Sequence, residues 1–359
     1  MKGFLVLETG ECYEGLWQGG QPRAGEVVFN TSHAGYEEIA TDPSYFSQII
    51  VMTASMQGNY GVDRDCWESG RLWIEGFVCL QIQSSSRDQS WISRLNEAGV
   101  PSLSEVDTRA ITLRLREGGT PWGALIQADS KGKALTLAQA LIAEKRKLPS
   151  DWVYLASRKK VEVQVGQDPA GPHVAVLDFG AKENILRELK ARTSKLTIFP
   201  SRTTSSEILA VQPDGVMLTN GPGDPAAVEV AIDTVRDLVG KMPVYGICMG
   251  HQILGLALGA QTYKMKFGHR GSNHPIKDDL IGKIYMTSQN HGYAVKRETL
   301  PSDVKVTQVN LNDQTVAGFY SEHRNCLGIQ YHPESHPGPH EATELFDFFL
   351  GKMIRRQKL

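Results

Sequence analysis

Pro243-Val244-Tyr245-Gly246-Ile247-Cys248-Met249-Gly250-His251-Gln252-Ile253-Leu254-Gly255 is the stretch that decides the fold. A short apolar run of strand character ends at Cys248, and a run with helical spacing begins there. Gly246 and Gly250 flank the cysteine as Gly-x-Cys-x-Gly, the thiol counterpart of a serine elbow. In such an elbow, small neighbours let a strained turn push the side chain out of the sheet. The same position puts the thiol at a helix N-terminus, where unpaired N–H groups and the positive end of the dipole favour thiolate over thiol. A thiolate attacks carbonyl carbon at neutral pH. The elbow alone leaves a second reading open: an unreactive cysteine, being a small and frequently buried hydrophobe, also fits a tight strand-to-helix turn.

Working outward, strand patterns at 174–179, 196–199, 216–219 and 244–247 alternate with helix patterns at 182–192, 206–211 and 226–239. Alternation of this kind implies βαβ units, hence a mostly parallel sheet with helices on both faces and loops at the strands' C-terminal ends available for chemistry. Segments around Ile284, at 304–309 and at 316–320 read as hairpin strands, and 341–355 as a closing amphipathic helix. The first 150 residues differ. Short strands near Phe4, Val27, Ile49 and Phe77 come first and helices only afterwards, at 107–117 and 135–147, which reads as a separate α+β domain. A length of 359 residues also suggests two domains, at about 150 residues each. The turn-rich stretch Gly166-Gln167-Asp168-Pro169-Ala170-Gly171-Pro172 predicts the boundary, giving domains at 1–165 and 172–359. The fold class expected is therefore α/β with an N-terminal α+β domain.

Charge is nearly balanced, 38 Lys and Arg against 40 Asp and Glu, and neither sign forms a long block. Neither nucleic-acid nor membrane binding is expected from this pattern, and the basic stretch 352–358 reads as a solvated helix end. No apolar run reaches the roughly 20 residues a membrane span needs, and the start at Met1-Lys2-Gly3-Phe4-Leu5 reads as a first strand rather than a signal peptide. Cys12, Cys66, Cys79, Cys248 and Cys326 are odd in number, scattered and never in a Cys-x-x-Cys pair, which fits a reducing cytoplasm. His332, Glu334, His336 and His340 cluster, but Pro333, Pro337 and Pro339 forbid a helix that would align the imidazoles. No metal site is therefore expected there.

Gln330-Tyr331-His332-Pro333-Glu334 follows the apolar Cys326-Leu327-Gly328-Ile329. Residues two apart on an extended segment face the same way, so Glu334 can hold and polarise the His332 imidazole. With Cys248 as nucleophile, this supplies base and orienting acid. Met249, just past the nucleophile, offers a backbone N–H to a developing oxyanion. Gln252 stands one helical turn beyond Cys248, on the same face.

Gly246-Ile-Cys-Met-Gly-His-Gln252, Asn220-Gly-Pro-Gly-Asp-Pro225 and His332-Pro-Glu334 together resemble the class I (triad) glutamine amidotransferase domain. Further stretches narrow the match: Lys264–Gly271, Gln289-Asn290-His291-Gly292-Tyr293, Gly25–Ser32 and Gly35–Ile39. With these the whole chain is similar to the family of small, glutamine-hydrolysing subunits of carbamoyl-phosphate synthetase. The resemblance implies hydrolysis of L-glutamine to glutamate and ammonia by Cys248, His332 and Glu334 through a γ-glutamyl thioester. It gives the second oxyanion donor to Gly223 and implies glutamine binding by Ser44, Gly221, Gly223, Met249, Gln252, Asn290, Gly292 and Tyr293. At Met249 and Tyr293 the family pattern commonly has leucine and phenylalanine. Both positions act through backbone or ring surface, so the implied roles stand.

No phosphate-binding Gly-x-x-x-x-Gly-Lys-Ser/Thr loop occurs, so no cofactor is expected in this chain. The resemblance implies that ATP and Mg belong to a large-subunit partner, which receives ammonia and makes carbamoyl phosphate from bicarbonate in a cytoplasmic heterodimer serving pyrimidine and arginine synthesis. The rival enzyme is the glutaminase component of another glutamine-dependent synthetase, against which the first 150 residues argue. A non-catalytic scaffold would require loss of the cysteine, histidine or glutamate, and all three are present.

Overall fold

The computed structural model describes residues 1–85 and 90–354. The chain divides into two compact units, Met1–Ser150 and Asp151–Leu359.

In the first unit seven strands close into a barrel. Their order around it is Lys2–Leu7, Cys12–Gly19, Ser102–Ser104, Gly76–Val78, Gln48–Met52, Arg23–Asn30 and Trp122–Gln127. The strands near Phe4, Val27, Ile49 and Phe77 are all staves of it. Phe4 and Val6 pack outward with Ala134, Ala138 and Ile142 of the helix Lys131–Lys145, while Leu5 and Leu7 are equally buried. A strand covered on both faces shows little apolar-polar alternation, which suits a closed sheet. The helix Thr108–Gly118 starts where Asp107 accepts from the Ala110 N–H at 2.9 Å. A helix also occurs early, at Tyr36–Thr41, overlapping the Gly35–Ile39 motif.

The second unit is built on a ten-stranded sheet. Its centre is five parallel strands in the order Lys195–Pro200, His173–Asp178, Gly215–Leu218, Val244–Ile247 and Cys326–Ile329. Period-two alternation splits their side chains between two cores. Val174, Val176, Met217, Tyr245 and Leu327 join one, with Ile185 and Leu189 of the helix Glu183–Arg192 and Phe346 and Phe349 near the C-terminus. Ala175, Leu177, Val216, Leu218 and Val244 join the other, with Val235 of Glu229–Leu238 and Ile253 and Leu254 of Met249–Ala257. This is the two-sided α/β layering that the alternation predicted. Antiparallel strands extend the sheet at both edges, including the long hairpin Thr262–Asp278 and Lys283–Val295.

Residues 151–165 pack with the second unit, upstream of the turn-rich stretch in which the sequence suggests a boundary. Glu162–Val165 pairs with Lys195–Pro200, Val153 enters the second core, and Arg158 bridges Asp178 at 3.2 Å. The closing helix is shorter than its pattern: Glu344–Asp347 is α-helical and Phe348–Ile354 has π geometry. Residue 355 and most of the basic stretch lie outside the described residues.

Candidate active site

Four loops leave the C-terminal ends of neighbouring parallel strands, on both sides of the point where strand order reverses. Open α/β sheets bind ligands at such a place. They carry Lys182 after His173–Asp178, Asn220 to Gly223 after Gly215–Leu218, Cys248 after Val244–Ile247, and His332 to Glu334 after Cys326–Ile329.

Cys248 has φ 55° and ψ −103°, a backbone conformation that non-glycine residues avoid. The elbow glycines are required by packing. A Cβ on Gly246 would lie 2.5 Å from the Gly250 carbonyl oxygen, and one on Gly250 would lie 2.3 Å from that of Leu218. The turn is held by the Cys248 N–H donating to Ile329 O at 2.8 Å and the Gly250 N–H to Thr219 O at 2.9 Å. The buried thiol donates to Asn290 O at 3.5 Å. Met249 opens the helix, so its N–H is among those no intrahelical carbonyl reaches. Gln252 bonds back to Cys248 O at 3.1 Å, and its side chain donates to Tyr293 O at 2.8 Å.

His332 and Glu334 follow the strand in a turn, and the expected pairing is present there: His332 Nδ1 lies 2.7 Å from Glu334 Oε1, both fully buried. His332 is itself fixed by its N–H donating to Ser288 O at 2.9 Å. Its buried Nε2 makes no well-formed hydrogen bond among the described residues, although the Cys248 side chain is close enough to act on the imidazole. Burial would push the His332 pKa down. The Glu334 carboxylate outweighs burial and holds it up at about 10, which makes the ring a stronger base than a free imidazole. Burial likewise works to raise the Glu334 pKa, but Lys182 first and His332 next bring it down to about 2.

Lys182 is the residue that sequence reasoning missed. Its ammonium is buried, donates to Glu334 Oε1 at 3.1 Å and to Ser335 O at 2.5 Å, and its backbone N–H donates to Asn220 Oδ1 at 2.9 Å. Asn184 adds a bond from Nδ2 to Glu334 O at 2.5 Å. One signal was available: a lysine at the N-terminus of the helix Glu183–Arg192, with no side-chain cap, opposes the helix dipole and calls for an anion elsewhere.

The remaining expected residues fall in two groups. Asn290, Gly292 and Tyr293 lie on Lys283–Val295, and Gly221 and Gly223 on the loop after Gly215–Leu218. Gly223 has φ +96°, which a side chain would strain. The strand contacts the elbow helix through Asn290 O and Tyr293 O. Ser44 belongs to the first unit, in the turn Pro43–Tyr45, where its N–H donates to Asp42 Oδ1 at 2.8 Å. Among the described residues no group of three or more His, Cys, Asp or Glu could hold a metal ion, and no helix is long and apolar enough to cross a membrane.

The fold of the second unit is that of the class I glutamine amidotransferases, whose family model matches residues 175–352. Residues 5–125 match the model described as carbamoyl-phosphate synthase small chain, CPSase domain. The carbamoyl phosphate synthase small chain of Staphylococcus epidermidis is 44% identical, over 98% of this chain and 96% of that one. That of Listeria innocua is 43% identical over 98% and 97%, and that of Lactococcus lactis 43% over 99% of each. The chain belongs to the carbamoyl phosphate synthase small chain family.

Proposed function

We propose that this chain is the glutamine-hydrolysing subunit of a carbamoyl-phosphate synthase, with Cys248 as nucleophile, His332 as proton carrier and Glu334 as orienting acid. The observation that carries the reading is the buried line Lys182–Glu334–His332 ending beside a cysteine held in a strained elbow. The Cys248 thiol passes its proton to His332, and the thiolate sulfur forms a bond to the carboxamide carbon of glutamine. The carbonyl π pair moves to oxygen, where the N–H groups of Met249 and Gly223 receive it. Collapse of this intermediate breaks the C–N bond, and His332 returns its proton to the departing nitrogen, releasing ammonia and a γ-glutamyl thioester. Water, deprotonated by His332, then displaces the sulfur and yields glutamate.

Glutamine is held in this reading by Ser44, Gly221, Gly223, Met249, Gln252, Asn290, Gly292 and Tyr293. Ammonia passes to a large-subunit partner that carries the ATP-dependent steps, in a cytoplasmic complex. Alkylation by a glutamine-like electrophile followed by mass spectrometry tests the assignment. The label is expected on Cys248, and a label on Cys12, Cys66, Cys79 or Cys326 instead would end the mechanism.

A further inference from the structure

The strand Lys283–Val295 meets the site through its backbone at three points: Ser288 O accepts from the His332 N–H, Asn290 O from the Cys248 thiol, and Tyr293 O from Gln252 Nε2. Its side chains at Gln289 and His291 are buried in a polar cluster that the reaction does not use. In this cluster His291 Nδ1 lies 2.7 Å from Tyr293 O, the same carbonyl that takes Gln252. A carbonyl only accepts, so the His291 proton sits on Nδ1. Burial, reinforced by His269 and Arg270, holds the His291 pKa well below its ordinary value, so Nε2 is a bare acceptor.

His291 Nε2 lies 3.2 Å from His269 Nδ1, from which it can accept, whereas the amide Oε1 of Gln289 at 3.0 Å is itself an acceptor. The same amide lies 3.1 Å from His269 Nδ1, and Asn310 Nδ2 approaches that nitrogen at 3.3 Å. On its far side His269 Nε2 meets Asp313 Oδ2 at 2.9 Å. Burial favours protonated Asp313, but the hydrogen bond from His269 outweighs it and brings the carboxyl down to about 2. The His274 ring lies 5.0 Å from that of His269, and Tyr263 beside Asp313 and Arg270 beside His291 are further titratable neighbours.

A line of contacts therefore runs from Asp313, through His269 and His291, to the Tyr293 carbonyl and Gln252. Asp313 is well placed to anchor it without belonging to the core. It sits in the turn between Lys305–Asn310 and Val316–Ser321, and its side chain is 37% exposed. Its Oδ1 holds the turn by accepting from the Thr315 N–H at 3.1 Å and the Thr315 hydroxyl at 2.8 Å, and Oδ2 is the oxygen turned to His269. We propose that Asp313 and His269 are positioning residues for glutamine, fixing from behind the strand the imidazole and carbonyl that orient Gln252. The proposal rests on the reading that Gln252 and the 290–293 segment bind glutamine.

The test is steady-state glutaminase kinetics of the complex with its large subunit, carrying Asp313→Asn, Asp313→Ala or His269→Gln. Losing the charged partner should raise the glutamine KM about tenfold while kcat stays within about twofold. Alkylation of Cys248 by iodoacetamide should keep its rate, and Asp313→Glu should recover part of the KM. If Asp313→Ala fails to fold, the isosteric Asp313→Asn decides. An unchanged KM in Asp313→Asn and His269→Gln overturns the proposal, as does a loss of kcat and alkylation in step with stability, which would mark a merely structural role. Gln252→Ala separates the two levels. If it leaves KM unchanged, the substrate reading itself fails. If it raises KM while Asp313→Asn does not, only the positioning role falls.

Discussion

Replacing Lys182 by methionine keeps the length of the side chain and removes the cation that faces Glu334. At 3.1 Å the Coulomb attraction is about 5 kcal/mol for an effective dielectric constant of about 20. Desolvating both ions opposes much of it, and removing one member of a buried pair typically costs about 3–5 kcal/mol. For a unit of this size, that corresponds to a fall in Tm of roughly 6–20 °C at neutral pH. The sign with pH follows from Glu334, whose folded pKa is depressed. Its stabilisation is present above the ordinary carboxylate range and is lost as pH falls toward about 2. Without Lys182 the folded pKa moves up, so the deficit against wild type should be full at pH 7 and shrink as acid protonates Glu334. Calorimetry of both proteins between pH 4 and pH 7 measures it, with glutaminase assays at the same values. A deficit that stays constant over that range would refute the electrostatic account and leave only lost packing around the lysine stem and the lost bond to Ser335 O.

Cys248→Ala should abolish glutamine hydrolysis yet retain glutamine binding by calorimetry, since other groups hold the amino acid; loss of binding would show that the thiol itself anchors substrate. In complex with the large subunit the same variant should still make carbamoyl phosphate from added ammonium salt, and failure there would place Cys248 beyond amide hydrolysis. His332→Asn should cost about as much activity as loss of the thiol, and Glu334→Gln less. Near-normal turnover by His332→Asn would refute its role, although neither other candidate base in the family motifs is well placed to replace it. Burial pushes His251 down to about 3 against the Phe319 ring, and His291 is committed to Tyr293. Because the folded pKa of His332 is raised, its contribution to stability should be whole below its ordinary value and fade as pH rises through about 10. A stability gap between wild type and His332→Asn that widens toward pH 10 would contradict this.

The parallel centre of the second unit could be read because its strands are short and apolar and all but Cys326–Ile329 are followed by a helix with its own period. The elbow was legible for the same reason: Gly246, Cys248 and Gly250 are local, and their spacing carries the steric requirement. The His332–Glu334 pair was visible from its spacing, although a turn brings the two together. What escaped depends on distant partners. The uncapped helix start at Lys182 calls for an anion but does not place it 152 residues later, and nothing near His269 names Asp313. The barrel was hidden because strands such as Gly76–Val78 are only three residues long and covered on both faces. Residues 162–165 form a strand only through antiparallel pairing with Lys195–Pro200, so their own composition could not assign them to a unit.

Strain at Cys248 and the assembly of the site have a common origin. A non-glycine residue at φ 55° costs about 1–3 kcal/mol and persists only when its surroundings over-determine it. Here the determinants are neighbouring parallel strands: Gly215–Leu218 crowds Gly250, the residue after it, Thr219, accepts the Gly250 N–H, and Cys326–Ile329 accepts the Cys248 N–H. Those same two strands run on into Asn220 to Gly223 and into His332 to Glu334. The contacts that force the cysteine out of the sheet therefore also set where the proposed oxyanion donor and the imidazole stand beside it. A relaxed turn at Cys248 would require these strands to separate, and the histidine would move with them. Cys248 cannot lose its strain without losing these neighbours.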